Sequence, residues 1–168
     1  MQEDEDDFRT SDFPSIIIKK DCFKKEDRVF MGDANFCVKD PTFNTFHAFI
    51  DCDDVLLRDI VGLLEKARYR RMGTWLVIFT SPWHFSLANF ARISWNEYVV
   101  LLSDFPLAHE GYVHYTLGKG YGVLRLGAKY GISPAMMYKL SNEPVGFRYC
   151  QTCYQSFFQD WKELKKVR

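Results

Sequence analysis

Residues 46–80, FHAFIDCDDVLLRDIVGLLEKARYRRMGTWLVIFT, predict a strand, a helix and a second strand in succession. The apolar run 46–50 is typical of a strand and leads into Asp51-Cys52-Asp53. Apolar residues then recur at i, i+3 and i+4, which is a helical period, with Asp54 placed to cap the helix and Gly73 just past its end. Residues 74–80 are apolar on both faces, so we expect this strand to be central in its sheet.

The elements around this unit predict an α+β fold. Residues 83–87 are expected to run back antiparallel to the strand at 74–80, and Ser94-Trp95-Asn96-Glu97 is a capping box that opens a helix reaching about Leu102. Residues 112–117 fit either a strand or a short helix. The other predicted elements are strands at Ser15–Lys19, Arg28–Met31, Asn35–Lys39 and Gly122–Leu126, and a final helix over Tyr149–Val167. We therefore expect a mostly antiparallel sheet with helices packed on one face.

Length and composition predict one soluble domain. The chain has 168 residues, of which 47% are hydrophobic and 17% aromatic, enough to bury a substantial core. Residues 1–13 are typical of a disordered acidic tail, and residues 14–168 are expected to form a single domain. No apolar run approaches the ~20 residues that span a bilayer, and no signal sequence is present. We expect a cytoplasmic protein without a membrane partner, located in the host cytoplasm if the chain is viral.

Asp51 and Asp53 form the first candidate site. Residues i and i+2 of a strand point to the same face, so the two carboxylates project side by side from Cα atoms about 6.5–7 Å apart. Such a pair either repels or holds a cation, and Mg²⁺ or Mn²⁺ is bound by one or two carboxylates together with substrate phosphates. The pair therefore favours phosphoryl transfer, and its ordinary alternative is a solvated strand end rich in Asp.

The cysteines offer a weaker metal signal. Cys150-Gln-Thr-Cys153 is half of a zinc-binding pattern, but no second C-x-x-C or H-x₃-H follows it. Cys22, Cys37, His109 or His114 could complete such a site in space. The total of five cysteines, which includes Cys52, is odd and argues against a secreted disulfide framework. Reduced, buried thiols are favoured over a structural Zn²⁺ or a redox pair.

Two other stretches carry groups suited to phosphate. In the turn after the central strand, the Ser81 hydroxyl and the His84 ring can donate hydrogen bonds to a phosphate oxygen. Further along, Arg125 fits phosphate bidentately and Lys129 supplies a point charge. Two acids for a metal, a histidine and two cations are sufficient for a triphosphate. The ordinary alternatives are a core histidine, a solvent-facing arginine and a loop lysine.

Ile50-Asp51-Cys52-Asp53 resembles the hydrophobic-Asp-hydrophobic-Asp strand of the archaeo-eukaryotic primase superfamily, which includes the primase–polymerases of archaeal plasmids and viruses. Ser81-Pro82-Trp83-His84 is similar to its Ser-x-His motif with one extra residue. The patterns T-S-P-x-H-F and V-L-R-x-x-x-K of small mobile-element members stand here at 80–85 and 123–129, and the resemblance covers roughly residues 28–130.

This resemblance implies an RRM-like sheet and a set of roles. Asp51 and Asp53 would bind the catalytic divalent metal ions, His84 and Ser81 would contact the phosphates of the incoming nucleotide, and Arg125 and Lys129 would hold phosphate or template. The superfamily also has a third carboxylate on a strand facing the first pair. By chain order Asp104 is the best candidate for this catalytic acid, although it falls at a predicted helix end, and Glu110 is the second candidate.

The expected function is that of a DNA primase/polymerase-like nucleotidyltransferase, which joins NTPs or dNTPs on a nucleic-acid template in plasmid or viral replication. Its partners would be nucleotides, single-stranded DNA or RNA, and other replication proteins. The first alternative is a non-catalytic single-strand-binding initiation factor whose exposed aromatic residues stack on bases. The others are a metal-dependent nuclease, which uses the same acids, and an interaction protein in which the Asp pair is incidental.

Overall fold

The fold is a sheet with helices on both faces. A computed structural model describes residues 35–37, 39–40, 45–120, 122–125 and 135–166, and the predicted tail at 1–13 and strands at 15–19 and 28–31 lie outside them. The helices are α1 (Leu57–Leu64), α2 (Ala67–Arg70), α3 (Trp95–Asp104), α4 (Glu110–Lys119) and α5 (Gln151–Lys166). The strands are β1 (Asn35–Cys37), β2 (Lys39–Asp40), β3 (Thr45–Asp53), β4 (Trp75–Ser81), β5 (His84–Ile93), β6 (Val123–Arg125), β7 (Ala135–Leu140) and β8 (Arg148–Tyr149).

The strands of the main sheet follow the order β2-β3-β5-β4-β7, with β8 paired to the end of β5, and every pairing is antiparallel. β1 and β6 form a separate antiparallel pair. The α+β class and the mostly antiparallel sheet are thus confirmed, and β4 is internal as predicted. Because β5 lies between β3 and β4, these three strands and the intervening helices form a split β-α-β unit. The RRM-like detail stays a prediction.

Helices cover both faces of the sheet, so the expectation that they pack on one face is wrong. Alternate residues of β3 divide between two cores, because successive strand side chains point to opposite faces. The first core packs Phe46, Ala48, Ile50 and Cys52 against the buried faces of α1, α2 and α3. The second core packs Phe49, Leu76, Ile78, Ala88 and Phe90 against Cys153 and Phe157 of α5 and against Leu124.

The helix predicted to begin at Asp54 is shorter and divided. It consists of α1 and α2, and the residue before α1 is Leu56, which provides no side-chain cap. Asp54 adopts a left-handed conformation, with φ of 57°, and Val55 N donates a hydrogen bond to Trp83 O at 3.1 Å. The chain thus makes one tight turn against the β4–β5 hairpin before it can become helical. Gly73 follows α2 with φ of 94°, as its predicted terminating position requires.

Several local predictions are confirmed and others are refined. The capping box at Ser94 forms both of its hydrogen bonds, and the final helix exists with Phe157 buried. Residues 112–117, which fitted either element, belong to α4. The strand predicted at Asn35–Lys39 is divided between β1 and β2, and β7 and β8 were not predicted.

Tyr98 of α3 takes the place of a strand at the open edge of β3. Among the described residues, β2 pairs with Thr45 and Phe46, and other groups bond to the next polar groups of this edge. The buried Tyr98 hydroxyl donates to Phe49 O at 2.6 Å and accepts from Phe49 N at 3.3 Å. Further along, His109 N donates to Asp51 O at 2.7 Å. Side chains and a helix start therefore satisfy the edge that leads to the two acids.

Tyr98→Phe is expected to lower the free energy of unfolding by about 1–3 kcal/mol, because it leaves the buried N–H and C=O of Phe49 without the hydroxyl. The measurement is urea denaturation followed by circular dichroism. Tyr138→Phe is the matched control: Tyr138 is 41% exposed on β7, and we expect a change within ~0.5 kcal/mol. Equal midpoints for the two variants would contradict the structural role of the Tyr98 hydroxyl.

Candidate metal and nucleotide site

Asp51 and Asp53 stand on one face at the end of β3, directly across from polar residues of β5. Asp51 pairs with Ser86 and Asp53 with His84 in the strand register. The Ser86 hydroxyl donates to Asp51 Oδ1 at 3.2 Å, and His84 Nδ1 lies 2.7 Å from Asp53 Oδ1. The predicted side-by-side projection of the two acids is therefore present. β5 holds one oxygen of each acid in place, and both acids are half-buried.

His109 completes this group from the start of α4. One of its ring nitrogens and one oxygen from each of Asp51 and Asp53 all lie within 4.8 Å of one another. Its Nδ1 accepts a hydrogen bond from Tyr112 N at 3.3 Å, and its Nε2 lies 3.3 Å from Asp53 Oδ2. With Nδ1 as acceptor, Nε2 carries the proton and donates a hydrogen bond to Asp53. Binding a metal through Nε2 would require this proton to move to Nδ1, which would give up the hydrogen bond from Tyr112 N.

Asp53 consequently lies between two histidines, one on each carboxylate oxygen. His84 comes from the β4–β5 hairpin and His109 caps the start of α4, so two separate segments converge on this carboxylate of β3. The His84 and His109 side chains are 36% and 45% exposed, more than the 23% of Asp53. The Asp53 carboxylate is therefore the more buried member of this group, and the two histidine rings are accessible to a ligand from solvent.

Two residues beside the acids have backbone conformations that are costly for residues other than glycine. Trp83 in the β4–β5 turn has φ of 67°, and Asp54, directly after Asp53, has φ of 57°. The Val55 N to Trp83 O hydrogen bond ties these two turns together, and Thr80 Oγ1 donates to His84 O at 3.1 Å. Such strained residues cluster at ligand sites, and here they present the Trp83 ring, 60% exposed, next to His84.

Cys52, the residue between the acids, points into the first core. Burial, and then the charges of Asp51 and Asp53, raise the pKa of its thiol well above the usual range. The thiol therefore stays protonated at neutral pH. Cys52 is unsuited to be a nucleophile or a metal ligand at this site.

The structure brings only some of the predicted site residues together. Ser81, at the end of β4, is paired with His84 in the strand register. Asp104, at the end of α3, accepts from Arg68 at 3.1 Å, and Glu110 pairs with His114 at 3.7 Å on the surface. Neither of these two acids is one of the three ligand groups that meet. Arg125 is placed only as a backbone partner of Asn35 in β6, and Lys129 lies outside the described residues.

Comparisons of this chain with protein-family models, with curated proteins and with solved structures found no match. In the part of the chain that the structure describes, no helix is both long and apolar enough to cross a membrane. The functional interpretation therefore rests on the geometry of the site and on its chemistry.

Proposed function

We propose that this protein is a primase/polymerase-like nucleotidyltransferase that uses Mg²⁺ or Mn²⁺ to join NTPs or dNTPs on a nucleic-acid template. The observation that carries the proposal is the convergence of Asp51, Asp53, His84 and His109 at one open end of the sheet. Carboxylates of this kind bind a divalent ion that also bridges substrate phosphates. Such an ion neutralises the charge that moves during nucleotidyl transfer.

In this proposal Asp51 and Asp53 hold the metal, and His109 is the third ligand, the role that the sequence predicted for Asp104. His109 already reaches Asp53, whereas the Asp104 carboxylate is engaged by Arg68. His84 Nδ1 lies 2.7 Å from Asp53 Oδ1. The His84 ring therefore stands beside the carboxylates that would hold the metal, where it would donate to a phosphate of the nucleotide.

The Trp83 indole would stack on the base of the bound nucleotide. Its ring is 60% exposed and stands one residue before His84, so a nucleotide whose phosphates reach His84 brings its base or sugar near this indole. Stacking of a base on an aromatic side chain contributes about 1–3 kcal/mol and tolerates every base. This tolerance suits an enzyme that must accept all four nucleotides.

The proposal is tested by equilibrium binding of labelled ATP and dATP, with and without Mn²⁺, with AMP as competitor. We expect binding that requires the metal and that AMP competes poorly, because the metal acts through the β- and γ-phosphates. His109→Gln is expected to weaken this binding at least tenfold, or by about 1.4 kcal/mol, because it removes a ring that reaches Asp53. Asp104→Asn should leave the binding within about twofold, because Asp104 contacts Arg68 instead. Metal-independent binding or no binding would contradict the proposal, and the opposite ranking of the two variants would return Asp104 to the site.

A primer-extension assay separates nucleotidyl transfer from the alternatives that share these residues. A labelled primer on a template grows when the protein is a polymerase, and it shortens when Asp51 and Asp53 serve a nuclease. Retention of single-stranded DNA without metal or nucleotide dependence would instead favour the non-catalytic binding factor. The change in primer length thus separates polymerase from nuclease, and retention of unchanged single-stranded DNA identifies the binding factor.

A further inference from the structure

A second group of potential ligands joins His47, on the same strand as the acids, to two cysteines at the start of α5, inside the second core. His47, Cys150 and Cys153 are only 1%, 4% and 0% exposed, and one ligand atom from each lies within 4.8 Å of the others. His47 precedes Asp51 by four residues, which corresponds to about 13 Å along a strand. This group is therefore distinct from the candidate nucleotide site.

The backbone of β5 places all three side chains. Cys150 N donates to Phe90 O at 2.8 Å, and the His47 ring nitrogen Nδ1 lies 2.9 Å from Ala91 O. α5 starts directly after Cys150, so the C-x-x-C spacing brings Cys153 back over its first turn, where Cys153 N donates to Cys150 Sγ at 3.3 Å. The long-range pairing of β8 with β5 thus closes a site that the sequence displays as only half of a pattern.

The hydrogen bond to Ala91 fixes the tautomer of His47. A carbonyl can only accept, so Nδ1 carries the proton and Nε2 presents a lone pair. Nε2 is buried and has no hydrogen-bonding partner among the described residues. A buried, unsatisfied nitrogen is costly. Metal-binding histidines commonly donate their other N–H to a backbone carbonyl, as His47 does here.

We propose that His47, Cys150 and Cys153 bind a structural Zn²⁺. Two thiolates and one imidazole are a ligand set that zinc prefers, and the two thiolates neutralise its charge. Arg92 donates to Cys150 Sγ at 3.6 Å, which is the kind of outer hydrogen bond that supports a bound thiolate. These three residues supply three of the four ligands of a tetrahedral Zn²⁺ site.

Burial favours the metal over a redox pair. Disulfide exchange needs an accessible thiolate, whereas both sulfur atoms are enclosed by the second core. A disulfide would also leave His47 Nε2 unsatisfied. The zinc would fasten the start of α5 to β3. Because β3 also presents Asp51 and Asp53, the metal would stabilise the strand that carries the candidate nucleotide site.

The test is the metal content of the full-length chain purified without chelators, together with the absorption spectrum of its Co²⁺ form. We expect one zinc per chain and a thiolate-to-cobalt charge-transfer band. Cys153→Ser and His47→Gln should each reduce the retained zinc at least tenfold. Cys52→Ala is the matched control, a buried cysteine in the first core, and it should retain the metal. The Asp51→Asn/Asp53→Asn double variant should also retain zinc, which keeps this inference separable from the proposed function.

Three results would overturn the zinc site. The first is a folded wild type that takes up neither zinc nor cobalt, the second is a Co²⁺ spectrum without the charge-transfer band, and the third is an intact mass that is lower by two hydrogens and maps to a Cys150–Cys153 disulfide. These readouts use the wild-type protein, so they decide the question even if Cys153→Ser and His47→Gln fail to fold.

Discussion

Asp51→Asn/Asp53→Asn is expected to weaken Mn²⁺-dependent nucleotide binding at least a hundredfold and to abolish primer extension. Both carboxylates become neutral amides of almost the same size, so the site keeps its shape and loses the charge that attracts a hard cation. Calorimetric titration with Mn²⁺, first alone and then with ATP, measures the two losses separately.

The same double variant should stay folded. It removes the repulsion between two neighbouring carboxylates, and it also removes the charge from the contacts of Asp53 with His84 and His109, which are partly exposed and therefore screened by solvent. We expect a change in the free energy of unfolding within ~1 kcal/mol. Asp59→Asn/Glu65→Gln is the matched control, since it removes two charges from exposed positions and should bind metal and nucleotide as the wild type does. Unchanged Mn²⁺ affinity in the Asp51/Asp53 variant would show that the acids do not hold the ion.

The paired acids were predictable because their relation is local. Two-residue alternation sets the common face of Asp51 and Asp53, and the apolar run before them identifies the strand. The capping box at Ser94 and the internal position of β4 follow from equally local patterns. Within such windows the physical cause, the period of a strand or the first turn of a helix, is contained in the sequence itself.

Sequence analysis predicted His84 but missed the roles of His47 and His109, because these roles depend on long-range contacts. His47 reads as part of an apolar strand, and its meaning depends on Cys150, which reaches it only through the pairing of β8 with β5. His109 stands beside Glu110, and the search for a third carboxylate passed over it. Its signal in the sequence was its position just before a helix of uncertain assignment, where a side chain can both cap the helix and face the strand.

Local sequence patterns also could not predict which helices cover which face of the sheet. β3 carries apolar residues at both parities up to Ile50, so it predicts burial on both sides but does not say which helices cover which side. The C-terminal helix covers the second face because Phe157 and Cys153 meet Phe90 there. The one-face expectation failed since it assigned every helix to the side that α1 occupies.

Phe90→Ala is expected to lower the free energy of unfolding by about 3–5 kcal/mol, the usual loss for a buried aromatic residue. Phe90 is fully buried, and its ring centroid lies 5.9 Å from that of Phe49, 5.5 Å from that of Phe157 and 5.3 Å from that of His47. It therefore joins β3, β5 and α5 in the second core, and no small side chain can make these contacts. The measurement is urea denaturation, with Val100→Ala, 52% exposed on α3, as a control expected to change stability by at most ~0.5 kcal/mol.

A second readout follows from the position of Phe90 beside the thiols. Its carbonyl accepts from Cys150 N, and its ring packs in the same core as Cys153, so a cavity there should loosen α5 before the rest of the sheet unfolds. We expect Cys150 and Cys153 of the metal-free variant to react with a thiol reagent in native buffer much faster than in the wild type, while Cys52 in the first core stays protected. A loss of stability below about 1 kcal/mol would contradict a close-packed second core, and equal reaction of all three thiols would contradict its separation from the first core.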